Sequence, residues 1–204
     1  MLENKADILS FIENDREIIK ILTLVRDLDL PDSWVCAGFL RSRIWDYQAQ
    51  LLHRTPVHDI DVIYFNDRFI DDSYEQKAQS QLKAKEPGYH WEVKNEARMH
   101  VHNPDTAPYA SSTDAISKFP ETATAIGARL DAHNQVILTV PHGVSDLLSM
   151  TVRPTPFTRE KKKRMMIYNE RMKQKNWQNS WPLLKIIARL PGLHELAEKD
   201  RKLK

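Results

Sequence analysis

Two short apolar runs, separated by a glycine turn and a polar spacer, most strongly limit the folds open to this chain. The first run, Trp34 to Ala37, stops at Gly38, and the second, Ile60 to Phe65, opens with the sequence Asp59-Ile60-Asp61. Both runs have the length and the bounds of buried strands. Because alternate side chains of a strand point to the same face, the pattern predicts that Asp59 and Asp61 face the same way.

The aspartate pair predicts a metal site. Two neighbouring carboxylates repel each other and are difficult to keep ionised together. A divalent cation removes that conflict, and Mg²⁺ prefers one or two carboxylates together with water and phosphate oxygens. We therefore expect Mg²⁺, or Mn²⁺ in its place, at Asp59 and Asp61. The alternative is that the pair only marks the solvent end of a strand, as many Asp-x-Asp sequences do.

The residues after Gly38 predict a helix that begins at the glycine turn. A helix N-terminus presents free backbone N–H groups and a partial positive charge, which suit a phosphate group. Arg41 follows in the first turn and can add a bidentate contact to a triphosphate. A surface salt bridge is an equally common role for an arginine in this position.

Five blocks of the sequence carry a resemblance to a known family. In chain order they are V-C-A-G-F-L-R-S-R-I-W-D, T-P-V-H-D-I-D-V-I-Y-F, W-E-V-K-N-E-A-R-M-H, F-P-E-T-A-T-A-I-G-A-R-L and D-L-L-S-M-T-V-R-P. They resemble successive blocks of a bacterial nucleotidyltransferase-like family of uncertain substrate, within the DNA polymerase beta-like nucleotidyltransferase superfamily. The resemblance covers about residues 18 to 185. This chain departs from the usual pattern at Phe39, where the superfamily has Gly or Ser, and at Ser42, where the closer family has Asn.

The resemblance implies a reaction and a site. The reaction is the Mg²⁺-dependent transfer of a nucleoside monophosphate from a nucleoside triphosphate to a hydroxyl acceptor. The acceptor could be a small molecule, a protein side chain or a nucleic-acid end. The catalytic residues expected from it are Asp59, Asp61 and Glu92, with Gly38, Arg41 and Asn95 binding the nucleotide. Glu92 stands for the third carboxylate of the superfamily, and Asn95 and Glu121 are its rivals.

The same resemblance implies an α/β (α+β) fold, a polymerase beta-like core with a mixed, mainly antiparallel sheet of about five strands. Helical spacing predicts helices over 5–28, divided at Asn14-Asp15, and over 73–85, and a final one in L-L-K-I-I-A-R-L, residues 183–190. We expect a strand over 91–102 and a hairpin of 123–130 with 135–140. Prolines after Arg153 predict a boundary between a core, 1–152, and a C-terminal helical extension packed on it, 153–204.

Composition limits the cellular compartment that we expect for the protein and leaves two other functions open. A net charge of +2 over 204 residues gives no strong field towards nucleic acid or membranes. A single cysteine, no signal-peptide pattern and no long apolar run predict a cytoplasmic protein. The same fold could instead form a catalytically silent nucleotide-binding or protein-interaction module. The basic segment 161–175 could bind RNA, although a solvated face is the more common explanation for such a segment.

Overall fold

A five-stranded mixed sheet forms the centre of the computed structural model, which describes residues 1–57 and 59–187. Its strands are β1 (Trp34–Cys36), β2 (Asp59–Tyr64), β3 (His90–Asn95), β4 (Gly127–Leu130) and β5 (Val136–Thr139). They lie in the order β3-β2-β1-β4-β5. Strands β2 and β3 are parallel and the other neighbours are antiparallel. The expected mixed, mainly antiparallel sheet is therefore confirmed.

Helices precede, connect and follow the strands. They are α1 (Lys5–Asn14), α2 (Arg16–Arg26), α3 (Gly38–Gln48), α4 (Ser73–Lys85), α5 (Glu96–Met99), α6 (Ser112–Ser117), α7 (Ser145–Leu148), α8 (Pro156–Arg159), α9 (Lys162–Gln174) and α10 (Trp177–Ser180). A 3₁₀ turn spans His100–His102, and strands β6 (Thr151–Val152) and β7 (Lys185–Ile186) form a second, two-stranded parallel sheet. None of the helices within the described ranges is long and apolar enough to cross a membrane.

The two N-terminal helices divide at the predicted position. Asp15 has extended backbone and ends α1, and its side chain accepts hydrogen bonds from the N–H groups of Glu17 and Ile18. An aspartate at this position satisfies N–H groups that the first turn of α2 leaves free. One buried face of these two helices, including Ile8, Ile12, Ile18, Ile21, Leu22 and Val25, belongs to the main core.

Helix α4 forms the expected β-α-β connection between β2 and β3, and it also covers the outer edge of β3. The side chain of Glu75 accepts a hydrogen bond from the Asn95 N–H at 2.7 Å, and that of Gln79 accepts one from Val93 at 3.4 Å. Exposed strand edges invite pairing with other chains. The helix therefore fixes β3 beside β2 and satisfies part of its free edge.

The two faces of the sheet have different surroundings. Val35, Ile60 and Val62 point into the main core with the helices. The opposite face carries a smaller cluster that includes Trp34, Cys36 and Ile63, covered by Ile116 of α6. Asp59, Asp61, His90 and Glu92 lie on this second face, because they alternate with the core residues along β2 and β3. The sheet therefore keeps one face for packing and leaves the end of the other for polar groups.

Two expected strand boundaries and one expected helix are wrong. Strand β3 stops at Asn95 because the Asn95 side chain accepts a hydrogen bond from the Ala97 N–H and starts α5, so residues 96–102 are helical. Residues 123–126 form a turn that enters the hairpin at Gly127. In the described part of the predicted final helix, Lys185 and Ile187 donate backbone hydrogen bonds to Met150 and Val152, which makes it strand β7. Residues 188–190 of that prediction lie outside the described residues.

The C-terminal segment packs directly on the core. The rings of Trp177 and Trp181 meet that of Trp45 edge-on, with centroids 5.8 and 5.1 Å away. Tyr168 of α9 is fully buried and donates a 2.8 Å hydrogen bond to the Ile187 carbonyl. Together with the Arg41 guanidinium, which lies 4.4 Å from the ring centre of Trp177, the tryptophan contacts pack α10 against α3. The division of the chain near residue 152 stays a prediction.

Candidate active site

A cavity of about 370 Å³ lies between the start of α3, the start of β2 and the segment that joins α9 to α10. Its lining includes two acidic, three basic and two aromatic side chains around a glycine: Gly38, Arg41, Asp59, Asp61, Arg171, Lys175, Trp177 and Trp181. Four of these residues, Gly38, Arg41, Asp59 and Asp61, are sequence-predicted site residues. The structure brings them together in one cavity.

A larger groove of about 890 Å³ runs beside α1, and three of its charged residues, Asp15, Glu17 and Arg54, are paired with one another. Arg54 forms ion pairs with both Asp15 and Glu17, and Glu17 also accepts hydrogen bonds from Arg43 and Tyr89. These bonds hold the segment before β2 against α2. The groove therefore offers less to a charged ligand than the smaller cavity does.

A strained turn starts α3 at the cavity. Ala37 has φ 55° and ψ −121°, a backbone conformation that residues with a side chain rarely adopt. The turn is held by a 3.0 Å hydrogen bond from the Ala37 N–H to the Ile126 carbonyl. A Cβ on Gly38 would lie 3.9 Å from both Arg41 Nη2 and Asp61 Oδ2. The glycine therefore leaves open space between an arginine and a carboxylate.

The predicted acids share one face of β2 and β3. In the parallel register Asp59 lies opposite His90, and Asp61 lies opposite Glu92. Burial raises the pKa of Asp61, and the charges of Glu92 and Asp59 raise it further, while the Gly38 N–H and Arg41 lower it. Burial and the two neighbouring acids therefore both oppose ionisation of Asp61. A bound cation would remove that opposition.

One group of side chains on this face is arranged closely enough to hold a metal ion. Asp59, His90 and Glu92 each offer a ligand atom, and these atoms all lie within 4.8 Å of one another. His90 Nδ1 is 2.9 Å from Asp59 Oδ1. Carboxylate oxygens fit Mg²⁺ and Mn²⁺. His90 was missed in the sequence, although a parallel β-α-β pairing of β2 with β3 would have placed it beside Asp59.

Arg41 is a buried cation that forms no ion pair with any of the described residues. Its side chain is only 6% exposed, and its guanidinium lies 4.8 Å from the ring centre of Trp45 and 4.4 Å from that of Trp177. Nη1 donates to Thr124 Oγ1 at 3.2 Å, whereas Nε has no hydrogen-bond partner among the described residues. Burial lowers the pKa of Arg41 to about 10, and Glu121 partly offsets this effect. The guanidinium therefore remains charged at neutral pH.

Glu121, one alternative for the third carboxylate, forms an ion pair with α9. It is fully buried, and its Oε1 accepts a 2.6 Å hydrogen bond from Arg171 Nε of α9. This ion pair fixes α9 at the cavity. Arg171, Lys175 and Trp177 all line the cavity and were not predicted as site residues. The i, i+4 spacing of Arg171 and Lys175 puts them on one helix face, but no sequence signal placed that face at the aspartates.

Asn95 lies outside the cavity. It is fully buried on the core side of β3, where its side chain bonds the backbone N–H and carbonyl of Asn66 and the carbonyl of Phe69. These bonds hold the loop after β2. The alternation along β3 already separated Asn95 from Glu92, so the sequence pattern could have excluded it. We leave Asn95 out of the nucleotide site proposed below.

Glu96 is a further acid near the site, and the sequence did not predict that it is buried. It is the first residue of α5 and is 6% exposed. Burial raises the pKa of Glu96 to about 7, and the charges of Glu75 and Asp61 contribute to this increase. The strand expected over residues 91–102 would have put Glu96 on an exposed face beside Lys94. The start of α5 buries it instead.

Comparison with known proteins assigns the family. Residues 23–186 match a nucleotidyltransferase family. The chain is also similar to a protein whose NMR structure is described as revealing a CCA-adding enzyme head domain, with 40% identity and a TM-score of 0.83. That similarity covers 92% of this chain and 97% of the other. The chain therefore belongs to this nucleotidyltransferase family, an enzyme class that uses nucleoside triphosphates. No curated protein matches the chain significantly.

More distant structures share the fold. A Thermotoga maritima CCA-adding enzyme complexed with tRNA matches with 11% identity and a TM-score of 0.51, covering 91% of this chain and 42% of that one. A CCA-adding enzyme in complex with ATP matches with 12% identity and a TM-score of 0.50, covering 85% and 42%. At these identities the similarity shows a shared fold alone, whereas the family match and the 40% identical structure support the polymerase beta-like nucleotidyltransferase fold. The expected family and fold are therefore confirmed.

Proposed function

We propose that the cavity binds a nucleoside triphosphate together with Mg²⁺ or Mn²⁺ at Asp59 and Asp61, and that the enzyme transfers the nucleoside monophosphate to a hydroxyl acceptor. The observation that carries this proposal is Arg41, a buried cation in the same cavity as the two aspartates, whose Nε has no partner and whose charge has no ion pair within the described residues. A buried charge without a partner is costly. Polyphosphate oxygens are the ligand that would pair with it beside a cation-binding carboxylate pair.

The two ends of the cavity have different roles in this proposal. Arg41, with Arg171 and Lys175 from the opposite wall, holds the β- and γ-phosphates and keeps their negative charge neutralised. Asp59 and Asp61 hold the divalent cation, and Glu92 serves as the third carboxylate because it lies opposite Asp61 in the sheet register. When bound, the cation supplies charge neutralisation at the phosphate oxygens. The α-phosphate is thereby oriented for attack.

The reaction is a displacement at phosphorus. An acceptor hydroxyl oxygen forms a bond to the α-phosphorus, the bond from this phosphorus to the bridging oxygen breaks, and pyrophosphate leaves. The hydroxyl proton goes to a nearby base, and Glu92 is the carboxylate proposed for this step. The acceptor is proposed only as a hydroxyl on a small molecule, a protein or a nucleic-acid end. We place the enzyme in the cytoplasm, since its single cysteine, Cys36, is free and buried.

Titration of nucleotides tests the proposal without a known acceptor. ATP, GTP, CTP and UTP are titrated by calorimetry with Mg²⁺ or Mn²⁺ into the wild type and into Asp61→Asn, Arg41→Met and the exposed-site control Asp67→Asn. We expect metal-dependent binding of at least one nucleotide by the wild type and the control. Both site variants should lose at least about tenfold in affinity, because each removes one charged contact. Folded wild type that binds none of the four would instead support a silent interaction module.

The basic segment 161–175 gives less support to RNA binding than its charge suggests. Arg164 is 6% exposed, and its guanidinium donates hydrogen bonds to the carbonyls of Pro104, Asp105 and Phe157. Arg171 is paired with Glu121. Both arginines of this segment therefore hold the fold together, and Lys175 lines the cavity. We include Arg171 and Lys175 in the nucleotide site and do not propose a separate RNA surface.

A further inference from the structure

We propose that His90 is a nitrogen ligand of the metal ion at Asp59, and that it makes the site prefer a first-row divalent transition metal such as Mn²⁺ over Mg²⁺. This inference rests on the proposed function, because it concerns the identity of the same cation. It adds a ligand that the paired aspartates alone do not supply.

The geometry of the two side chains fits a shared ion. His90 is paired with Asp59 across the parallel strands, and His90 Nδ1 lies 2.9 Å from Asp59 Oδ1. An octahedral ion with ligand distances of about 2.1 Å places adjacent ligand atoms roughly 3 Å apart. The two atoms therefore already have the separation that one ion would impose. Glu92 offers a third ligand atom within 4.8 Å of both.

Arg41 is the independent observation that a ligand belongs beside this group. Its Nε is buried and has no partner among the described residues, and it lines the cavity that Asp59 and Asp61 also line. A buried guanidinium whose Nε lacks a partner among the described residues favours the binding of an anion at that side of the cavity. Asp59 belongs both to the lining of this cavity and to the group Asp59, His90 and Glu92, so the group would hold a cation at the same cavity in which Arg41 favours an anion.

A surface hydrogen bond is the competing explanation for the close approach of His90 and Asp59. Their side chains are 65% and 50% exposed, and an exposed pair of this kind contributes little to stability. The two explanations differ in metal selectivity. Imidazole nitrogen binds first-row transition metals much better than it binds Mg²⁺, which is a hard ion with oxygen ligands. A ligand role therefore predicts that loss of the imidazole weakens Mn²⁺ binding more than Mg²⁺ binding.

The experiment measures metal binding directly. Mn²⁺ and Mg²⁺ affinities are determined by calorimetry and by Mn²⁺ electron paramagnetic resonance, with the wild type, His90→Ala, Asp61→Asn and the control His133→Ala. His133 is an exposed histidine in the turn between β4 and β5, at the opposite edge of the sheet. We expect His90→Ala to lose about tenfold or more in Mn²⁺ affinity, with the Mg²⁺ affinity within about twofold of wild type. Pulsed resonance of bound Mn²⁺ should detect coupling to a ligand ¹⁴N in the wild type and none in His90→Ala.

The outcomes separate this inference from the proposed function. If Mn²⁺ binds without ¹⁴N coupling, and His90→Ala keeps the wild-type ratio of the two affinities, the nitrogen ligand is refuted. The proposed function survives that result when Asp61→Asn still lowers the metal-dependent affinity for nucleotide by at least about tenfold. If neither metal binds the wild type at all, both proposals fail together. The resonance measurement on the wild type needs no variant, so poor folding of His90→Ala cannot hide the answer.

Discussion

The indole Nε1 of Trp181 donates a 3.0 Å hydrogen bond to Asp46 Oδ1, while the other oxygen of the same carboxylate accepts a 2.9 Å bond from the Thr55 N–H. Trp181 and Thr55 both line the candidate nucleotide cavity, and Asp46 is buried behind it in α3. One carboxylate therefore joins the segment before β2 to the segment after α9. Neither segment is covalently close to the other.

Replacing Asp46 by asparagine should loosen one of these two segments. An amide has a single acceptor oxygen, so it can satisfy the Trp181 N–H or the Thr55 N–H but not both. A buried donor without a partner costs about 1–3 kcal/mol, and we expect a loss of this size in urea unfolding, together with weaker nucleotide binding. A double-mutant cycle with Trp181→Phe tests the shared contact. The losses of unfolding free energy in the two single variants should sum to more than the loss in the double variant. Strict additivity would contradict the shared contact.

Two glycine substitutions should separate function from stability. In Gly38→Ala the new Cβ meets nothing nearer than 3.9 Å, so unfolding free energy should change by less than about 1 kcal/mol, while nucleotide affinity falls because a methyl group enters the space between Arg41 and Asp61. In Gly127→Ala the new Cβ lies 2.8 Å from Ile116 Cδ1 and 3.1 Å from Thr139 Cγ2, so the fold should be destabilised.

Urea unfolding and nucleotide titration of both variants, at matched protein concentration, check this pair of predictions. Gly38→Ala with full wild-type nucleotide affinity would show that the space beside Gly38 holds no phosphate. A Gly127→Ala variant as stable as wild type would show that α6 can move away from the sheet at little cost.

Asp61→Asn should stabilise the metal-free protein at neutral pH. The pKa of Asp61 is raised in the folded state by burial and by Glu92 and Asp59. A carboxyl whose pKa is raised in the folded state binds its proton more tightly there than in the unfolded state. Its ionisation therefore lowers the free energy of unfolding as the pH rises above the pKa that the group has in the unfolded chain. We therefore expect a gain in the variant near pH 7.5 that shrinks towards pH 4, measured by urea unfolding without metal. An equal gain at both pH values would assign the effect to packing instead of charge.

Glu96→Gln should also stabilise the protein, and the stabilisation should change over a wider range of pH. The pKa of Glu96 rises from 4.5 to about 7 on folding, mainly because it is buried. Its ionisation therefore opposes folding fully above about pH 7 and not at all below about pH 4.5, with a cost of up to roughly 3 kcal/mol. We expect Glu96→Gln to be more stable than wild type at pH 8 and similar to it at pH 4.5.

The control for this variant is Glu13→Gln, a substitution on the exposed side of α1, which should change stability by less than about 0.5 kcal/mol at both pH values. If Glu96→Gln is instead less stable than wild type at pH 8, the carboxylate must make contacts in solution that outweigh its burial.

Local pattern was sufficient for much of the fold. The apolar spacing of α1 and α2, the cap at Asp15, the strand that follows Asp59 and the helix that begins at Gly38 all rest on residues close together in sequence. The final predicted helix was wrong in its described part, because its apolar spacing also suits a strand and a backbone partner in β6 decides between the two. Periodicity alone does not contain that partner.

The sequence by itself determined that Asp59 and Asp61 face the same way and that a glycine turn and Arg41 precede them, because those relations depend on the geometry of one strand and one helix turn. Tertiary structure alone decided that His90 lies beside Asp59, that Trp177 and Arg171 close the cavity around Arg41, and that Glu96 is buried. Each of these contacts joins segments far apart in the chain. Their distances follow from strand register and helix packing, which the free energy of the whole core fixes and no local spacing encodes.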